Sequence, residues 1–465
     1  MKIQFFGAAQ TVTGSKHLIT TDKNIQILLD CGLFQGIKTN ELNLDLGFKA
    51  AEIDFLVLSH AHIDHSGLIP RLIKLGFEGA IYSTPATKSL CEIMLYDSAK
   101  IQESDLKRVN ERRVRRGEEP LEILYDEADV AKALSLFKTM DYHQDFFLTP
   151  EIKVSFSDTG HLLGSAAISL TIREEDEQEK HVFFSGDIGR PNDKILRMSE
   201  PFKQAEYIIC ESTYGNRLHE PENDVKTHLL KIVNDTCVKQ QGKLIIPAFS
   251  VDRTQELIYA LDQLHSEGLL PKVQVFIDSP LSVKATQVMQ KHTECFNPEI
   301  LNYIKKDGDA FNFPNLFYVS DVEESKQINL IKEPCIIISS SGMAEAGRIK
   351  HHIKHNIEDP RTTILLVGYC TPNSLGGQLK AGAEEVKIFG ELFQVKAHVE
   401  VMDSFSAHAD YKEMIDFLSC QDAGKVKKVF LVHGEKDVQD DFREKLLKVG
   451  YGEVIIPAMK QSFDL

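Results

Sequence analysis

The sequence predicts an α/β protein, and three observations support this fold class. Short apolar runs such as residues 53–58 (IDFLVL) are bounded by polar residues, as expected for buried strands. From about residue 225 to 367, helix and strand patterns alternate, which is typical of a parallel sheet flanked by helices. The chain then returns to strands at 393–402 and 428–432, with a helix at about 409–419 between them. A length of 465 residues also favours more than one structural unit.

The individual elements follow from apolar periodicity, with a period of two for strands and 3.6 for helices. In the first 210 residues, strand patterns lie at 2–6, 25–30, 53–58, 152–156, 166–172, 181–186 and 206–210, and helical patterns lie at about 66–75, 86–116 and 126–139. The later alternation contains the strands KLIIP (243–247), CIIIS (335–339) and TTILLV (362–367), with a helix at 344–355 between the last two.

Composition limits the class of protein. No apolar run is long enough to span a membrane, and the first residues lack the pattern of a signal peptide, so we expect a cytoplasmic location without membrane contact. The eight cysteines are scattered without a CxxC pair, which argues against a disulfide framework and a thiolate metal site. A net charge of −16 opposes binding to polyanions at long range, yet residues 107–116 (KRVNERRVRR) form a basic run. Taken alone, such a run is usually a solvated helix face.

Four potential metal ligands follow the strand IDFLVL within six positions. They are His60, His62, Asp64 and His65. Alternate residues of an extended stretch point the same way, so His60 and His62 can share one ion, and the following turn directs Asp64 and His65 at a neighbouring point. A lone histidine is usually a core or surface residue, but this density predicts a site for two metals.

This string resembles the HxHxDH signature of the metallo-β-lactamase superfamily. The resemblance implies further ligands, His161 in DTGHLLGS and Asp187 in FSGDIG, with Asp187 bridging both metals. It also implies that Asp30, in LLLDCG, orients ligands from behind the site. The matching last ligand, His433 in FLVHGE, lies 246 residues beyond Asp187, which indicates a large insertion.

The insertion resembles the β-CASP domain of nucleic-acid-processing members. The motifs are Glu211-Ser212-Thr213-Tyr214-Gly215 (A), Phe405-Ser406-Ala407-His408-Ala409-Asp410 (B) and His433 (C). The nearest subgroup resembles the 73-kDa polyadenylation cleavage subunit and its prokaryotic ribonuclease relatives. The expected fold is therefore an αββα metallo-β-lactamase domain, residues 1–212 and 386–465, with an inserted β-CASP domain at 213–385 formed by a parallel sheet flanked by helices.

The resemblance implies a ribonuclease that hydrolyses phosphodiester bonds of single-stranded RNA with two zinc ions, because a histidine at motif C is typical of relatives that act on RNA and valine of those that act on DNA. Endonuclease and 5′-exonuclease modes stay open. Asp64 and Asp187 would serve the metal chemistry. His408, held by Glu211, would protonate the leaving oxygen. Because the ligands are nitrogen and oxygen, Mn²⁺ is an expected substitute for Zn²⁺.

A phosphate site is expected in the insertion. Ser340, Ser341 and Gly342 end a predicted strand before a helix predicted near Ala344, so backbone N–H groups and the helix dipole could receive a phosphate. Arg348 would add charge, and an ordinary helix cap is an equally good reading. Arg253 is a further phosphate-binding candidate, although Asp252 stands where relatives commonly have glycine.

Two rival functions stay open at this point. An esterase, thioesterase or lactonase of the same superfamily would suit the acidic composition, and a scaffold without activity would be expected to have lost ligands. A homodimer and protein partners in RNA processing are both compatible with the sequence. Motifs A to C and the complete ligand set favour the ribonuclease.

Overall fold

The computed structural model forms two compact units, a first unit of Met1–Leu218 with Ala407–Leu465 and a second unit of His219–Ser406. The predicted domain boundaries after residues 212 and 385 stay predictions. Among the residues described, no helix is both long and apolar enough to cross a membrane. The structure describes residues 1–36, 39–219, 225–368, 370–402 and 407–465, so that Phe405 and Ser406 of motif B lie outside the described residues.

In the second unit, strands alternate with helices as predicted, while several short strands of the protein had no clear sequence pattern. The first unit begins with β1 (Lys2–Phe5), β2 (His17–Thr20), β3 (Gln26–Leu29), β4 (Phe55–Val57), β5 (Ala80–Ser83), β6 (Phe137–Thr139), β7 (Phe146–Thr149), β8 (Ile152–Asp158), β9 (Ala166–Arg173), β10 (Glu179–Phe184) and β11 (Tyr207–Glu211). The second unit contains β12 (Leu244–Pro247), β13 (Gln274–Ile277), β14 (Leu316–Tyr318), β15 (Cys335–Ser339), β16 (Thr363–Leu366), β17 (Glu385–Ile388), β18 (Glu391–Gln394) and β19 (His398–Val401). The first unit closes with β20 (Lys428–Val432), β21 (Val454–Ile455) and β22 (Ser462–Asp464).

The helices follow the same division. The first unit has α1 (Asn40–Leu44), α2 (Ile63–Ser66), α3 (Ile69–Lys74), α4 (Pro85–Arg115) and α5 (Glu127–Ser135). The second unit has α6 (Val225–Val233), α7 (Arg253–Ser266), α8 (Pro280–Lys291), α9 (Pro298–Asp307), α10 (Val322–Ile328), α11 (Ile349–Asn356) and α12 (Leu375–Lys380). The closing segment has α13 (Tyr411–Leu418) and α14 (Lys436–Lys448). Short 3-10 turns lie at Ala50–Glu52, Thr293–Cys295 and Ala423–Lys425, and a π-helical turn lies at Asn234–Lys239.

Two seven-stranded sheets pack face to face in the first unit. Their strand orders are β22-β1-β2-β3-β4-β5-β6 and β21-β20-β11-β10-β9-β8-β7. The core between them is apolar and includes Leu29 and Val57 from one sheet and Phe184 and Ile209 from the other. Alternate residues of the second sheet point outward to α13 and α14, while α4 packs on α5 and contacts β6 of the first sheet. This arrangement confirms the predicted αββα layers.

A six-stranded sheet forms the centre of the second unit. Its order is β14-β13-β15-β12-β16-β19, and every neighbouring pair is parallel. The predicted strands KLIIP, CIIIS and TTILLV become β12, β15 and β16, which are adjacent at the centre of the sheet. They are buried along their whole length, as continuous apolar runs in parallel sheets usually are. The predicted parallel sheet is therefore confirmed.

Two predicted helices have different bounds in the structure. The helix predicted at 126–139 ends at Ser135, because Phe137–Thr139 pairs with β5 as the edge strand β6. Tertiary pairing overrides local helical preference there. The helix predicted at 344–355 begins only at Ile349, since residues 341–348 form turns after β15.

Candidate metal centre

The predicted ligands lie at the ends of strands that meet at one edge of the first unit. Strands β10, β11 and β20 are parallel neighbours, and β8 runs in the same direction because it is separated from β10 by the antiparallel β9. His161 follows β8, Asp187 follows β10, Glu211 ends β11 and His433 follows β20. The remaining ligands follow β4 of the facing sheet and enter α2. Sheet topology therefore brings together residues that are far apart in sequence.

The first group of ligands consists of His60, His62, His161 and Asp187. Nδ1 of His62 lies 3.1 Å from Nε2 of His60 and 3.2 Å from Nε2 of His161. Oδ2 of Asp187 lies 3.5 Å from Nε2 of both His60 and His161. One ligand atom from each residue thus faces a common point, as tetrahedral zinc coordination requires.

The second group consists of Asp64, His65 and His433, with Asp187 at its border. Oδ2 of Asp64 lies 3.4 Å from Nε2 of His433, and Oδ2 of Asp187 lies 3.3 Å from Nε2 of His65. Oδ1 of Asp187 lies 3.7 Å from Nδ1 of His433. The Asp187 carboxylate therefore contacts both groups.

Electrostatics and hydrogen bonding support metal ligation by these residues. Burial lowers the pKa of His62 to about 4 and the pKa values of His60 and His161 well below the ordinary value, so their rings are neutral and have a free lone pair. Within the described part of the chain, Nε2 of His65 and Oδ1 of Asp187 are buried without a hydrogen-bond partner. Buried polar atoms rarely stay unpaired, so these two indicate a site that is suited to a cation. The donor set fits zinc.

Asp30 has the predicted supporting position. Its Oδ2 lies 2.6 Å from Nδ1 of His65, while the backbone N–H of Ser59 donates to its Oδ1 at 2.8 Å and the Ser59 hydroxyl donates to Oδ2 at 2.9 Å. Although burial opposes charge on His65, the carboxylates of Asp187 and Asp30 raise its pKa well above the ordinary value. The Asp30 contact holds the proton on Nδ1 and leaves Nε2 toward the metal group.

Backbone strain occurs at two of these positions. Asp30 has φ 60° and His433 has φ 52°, in the left-handed region that residues other than glycine rarely adopt. The His433 backbone N–H donates to the carbonyl of Ala8 at 2.7 Å, which stabilises this conformation. Strained residues of this kind concentrate at functional sites, where the surrounding structure maintains them.

Glu211 and His408 form the predicted pair beside the two groups. Nδ1 of His408 lies 3.3 Å from Oε1 of Glu211. Although burial opposes protonation, Glu211 and Asp187 raise the pKa of His408 to about 10. The backbone N–H of Ile188 donates to Oε1 of Glu211 at 2.6 Å, and the Thr213 hydroxyl donates to Oε2 at 2.7 Å. Both oxygens of Glu211 are therefore engaged, which favours a role in orienting His408 over metal ligation.

Sequence reasoning assigned no role to two residues that support the ligands. The Thr213 hydroxyl lies 2.9 Å from Nδ1 of His433 as well as contacting Glu211. The Ser165 hydroxyl accepts the backbone N–H of His161 at 3.1 Å. Both residues stand within the motifs quoted for the ligands, but a hydroxyl shows no pattern that distinguishes this use from an ordinary turn.

The phosphate-binding candidates lie in the second unit and have internal partners. Ser340 and Ser341 follow β15, and the Ser340 hydroxyl lies 3.0 Å from that of Ser279. The prediction that residues 340–342 cap a helix near Ala344 is wrong, because α11 begins at Ile349 and so places the helix dipole farther along the chain. Arg348 pairs with the buried Asp278 at 2.7 Å and also donates to the backbone carbonyl of Ser320 at 2.6 Å.

Arg253 begins α7, is buried and forms an ion pair with Glu256. Asp252 before it has φ 71°, a conformation that glycine adopts without strain. Asp252 therefore adopts a backbone conformation that would suit the glycine expected here from the resemblance.

Comparison with known proteins agrees with this geometry. Residues 18–209 match the metallo-beta-lactamase superfamily domain, residues 254–379 the Beta-Casp domain, and residues 393–457 the Zn-dependent metallo-hydrolase RNA specificity domain. A crystal structure of a protein of unknown function from Enterococcus faecalis V583 covers 100% of this chain with a TM-score of 0.55 and 14% identity, which shows the fold alone.

Three curated relatives span most of this chain. Ribonuclease TTHA0252 of Thermus thermophilus is 32% identical over 97% of this chain and 95% of its own length. Transcription termination factor FttA of Methanosarcina mazei is 29% identical over 96% of this chain and 69% of its own length. Cleavage and polyadenylation specificity factor 73 of Drosophila melanogaster is 29% identical over 94% of this chain and 60% of its own length. This protein belongs to the β-CASP ribonuclease family of the metallo-β-lactamase superfamily.

Proposed function

We propose that this protein is a zinc-dependent ribonuclease that hydrolyses phosphodiester bonds in single-stranded RNA, with endonuclease activity and 5′-exonuclease activity as a second mode. The observation that carries the proposal is the Glu211–His408 pair beside two groups of metal ligands, with Nδ1 of His408 3.9 Å from Oδ2 of Asp187. A protonated histidine next to a metal cluster suits a reaction whose leaving group needs a proton. The ribonuclease relatives support the same substrate class.

Two zinc ions are proposed as the cofactor. His60, His62 and His161 would hold one ion, and Asp64, His65 and His433 the other, with Asp187 shared between them. When bound, a pair of divalent ions supplies a deprotonated water for attack and neutralises charge on the phosphoryl oxygens. Mn²⁺ is the proposed substitute, because none of the seven ligands is a thiolate.

His408 is the proposed general acid. With Nδ1 turned to Glu211, the other ring nitrogen, Nε2, carries the proton that can pass to the leaving ribose oxygen as the phosphorus–oxygen bond breaks. Because Glu211 and Asp187 raise the pKa of His408 to about 10, the ring is protonated at neutral pH. After transfer, His408 is neutral and takes up a proton from solvent before the next turnover.

Substrate phosphate contacts are proposed in the second unit at Ser340, Ser341 and Gly342, with smaller contributions from Arg253 and Arg348. The Ser341 hydroxyl lies 3.4 Å from the carbonyl of Ala346, in the turn that follows β15. Phe249, 45% exposed, lies against Gly342 and could stack on a base. Both arginines already have carboxylate partners, so we assign the serines and glycine the main part.

Cytoplasmic location, protein partners in RNA processing and a homodimer complete the proposal. Among the described residues, which include all eight cysteines, no disulfide is formed, as expected in a reducing compartment.

The test uses zinc-loaded protein with a 5′-labelled single-stranded RNA and a DNA of matching sequence. A chelator and His60→Ala serve as controls. We expect cleavage of RNA that disappears in both controls, and the product ladder distinguishes endonuclease from 5′-exonuclease activity. Intact RNA in the presence of metal-loaded protein would overturn the proposal, and hydrolysis of a thioester or lactone by the same sample would establish the rival hydrolase.

A further inference from the structure

The carboxyl-terminal half of helix α4, from residue 100 to 115, contributes no buried residue; we call it the outer half. The helix has 31 residues, and its buried residues end at Ala99. The following 16 positions contain no buried residue, a length of about 24 Å at 1.5 Å per residue. Its beginning is fixed to the metal centre, because the hydroxyls of Thr84 and Thr87 donate to the carbonyl of Gly164, three residues after His161.

One face of this outer half is covered by the chain that returns from it. The partly covered positions Leu106, Asn110 and Arg113 follow helical spacing. The Asn110 side chain donates to the carbonyl of Leu121 at 2.9 Å and accepts its backbone N–H at 2.8 Å, and Arg113 pairs with Glu118 at 2.9 Å. The returning segment therefore determines which face points to solvent.

The opposite face is basic. Arg108, Arg112 and Arg115 are spaced i, i+4 and i+7, so they lie on one side of the helix, away from Asn110 and Arg113. All three are exposed, and among the described residues none has a carboxylate within ion-pair distance. Lys107 and Arg116 border this face and are likewise exposed. We call Arg108, Arg112 and Arg115 the arginine face.

Helix stability accounts for only part of this arrangement. Arg112 and Arg115 lie in the last turn, where cations favour the carboxyl end of a helix, but Arg108 lies before that turn. Like charges at i, i+4, as in Arg108 and Arg112, are destabilising. Three unpaired arginines in a chain of net charge −16 therefore point to a polyanionic ligand. Arginine is also the residue best matched to phosphate oxygens, through two parallel N–H donors.

We propose that the arginine face binds the phosphate backbone of the RNA substrate at a distance from the metal centre. This proposal rests on the ribonuclease function and explains how an acidic enzyme retains a polyanion. Arg108 lies about 35 Å along the helix from Pro85, so only RNA longer than a few nucleotides can reach both the arginine face and the metal centre. The contacts are with phosphates and favour no base sequence.

The test compares Arg108→Gln/Arg112→Gln/Arg115→Gln with a control triple, Lys2→Gln/Lys291→Gln/Lys448→Gln. The control removes the same charge from exposed positions, and Lys291 and Lys448 also lie in last turns of helices. Binding of a long fluorescent single-stranded RNA is measured by anisotropy over a salt series, and hydrolysis is measured on that RNA and on bis(p-nitrophenyl) phosphate.

For the arginine variant, we expect the slope of log affinity against log salt to fall by about 2, since each phosphate contact on a single strand contributes about 0.7. The dissociation constant at 0.1 M salt should rise about 10- to 100-fold by the same relation, with KM for long RNA rising in parallel. Neither kcat nor hydrolysis of the small diester should change. Replacing the three arginines by lysine should preserve the salt slope.

Equal affinity and salt slope in the arginine variant and the control triple would overturn the proposal. A second contradicting result would be a wild type that binds a polyglutamate peptide and an arginine variant that loses this binding but keeps its RNA affinity. That result would assign the arginine face to an acidic protein. The anisotropy assay measures RNA binding independently of cleavage. If the protein binds RNA through the arginines but cleaves no RNA, the ribonuclease function is refuted and the proposal for the arginine face is retained.

Discussion

The metal centre and the turn after β15 both consist of polar residues at the carboxyl ends of strands, but they differ in how their polar atoms are satisfied. In the first unit, Nε2 of His65 and Oδ1 of Asp187 are buried and have no hydrogen-bond partner among the residues that the structure describes. In the second unit, Arg348 is paired with Asp278, and Ser340 contacts Ser279. Converging atoms that the protein itself leaves unpaired therefore identify a metal site, and polar residues at a strand end alone do not.

The largest effect is expected from Asp187→Asn, because Asp187 contacts both groups of ligands. We expect loss of both metals and loss of detectable RNA cleavage, measured by elemental analysis and gel assay of the same sample. Asp64→Asn is the matched control, since Asp64 belongs to one group only, and it should retain about one metal per chain. Two tightly bound zinc ions in Asp187→Asn would refute the bridging role.

His408→Ala should lower turnover by about 10²- to 10⁴-fold, the usual contribution of a general acid. Both metals should remain, since Nδ1 of His408 faces Glu211 and His408 is not one of the seven proposed ligands. Single-turnover kinetics with saturating enzyme measures the chemical step directly. Full activity in this variant would remove His408 from the mechanism.

Glu211→Gln should shift the pH dependence of cleavage. Glu211, together with Asp187, raises the pKa of His408 to about 10, and a general acid must be protonated, so the wild-type rate should fall only at alkaline pH. Without the carboxylate, the pKa of His408 falls and the alkaline limb moves to lower pH. An unchanged alkaline limb in a pH series of kcat would contradict the pairing.

Asp30→Asn should weaken metal binding by about 10- to 100-fold, the usual cost of losing a residue that orients a ligand. The carboxylate contacts Nδ1 of His65 at 2.6 Å, and the amide could present its N–H to that nitrogen and favour the wrong tautomer. Competition with a zinc-binding dye gives the affinity. An affinity equal to wild type would show that His65 is oriented by packing alone.

The smallest effect on catalysis is expected from Arg348→Gln. This variant tests whether the polar residues of the turn after β15 are engaged internally, in contrast to those of the metal centre. Since Arg348 neutralises the buried Asp278, the variant should have a lower melting temperature. KM for RNA should change less than about threefold, because the guanidinium is engaged internally. A tenfold rise in KM at an unchanged melting temperature would instead assign Arg348 to the substrate.

Sequence reasoning was strong where chemistry dictates a spacing. The cluster at 60–65 predicted a metal site before any fold was known, and the structure brings His161, Asp187 and His433 to the same place. Continuous apolar runs such as CIIIS, which alternate along the chain with helical patterns, also predicted the parallel sheet, because a strand that is buried on both faces must be apolar throughout.

The sequence predicted secondary structure less well where pairing between segments far apart in the chain determines it. Residues 137–139 continue a helical pattern but pair with β5, and residues 344–348 read as helix but form turns. The hydrogen bond of Thr213 to His433 and the left-handed backbone of His433 depend on contacts between segments that are far apart in sequence. Local sequence contains no signal for either feature.

The central claim is that the seven ligands hold two metal ions per chain. Elemental analysis of the purified, zinc-loaded protein after exhaustive dialysis measures this most directly. We expect two zinc ions per chain in the wild type and about one in His62→Ala, because His62 belongs to one group. A wild-type protein that retains no zinc or only one, or a His62→Ala variant that still retains two, would contradict this expectation.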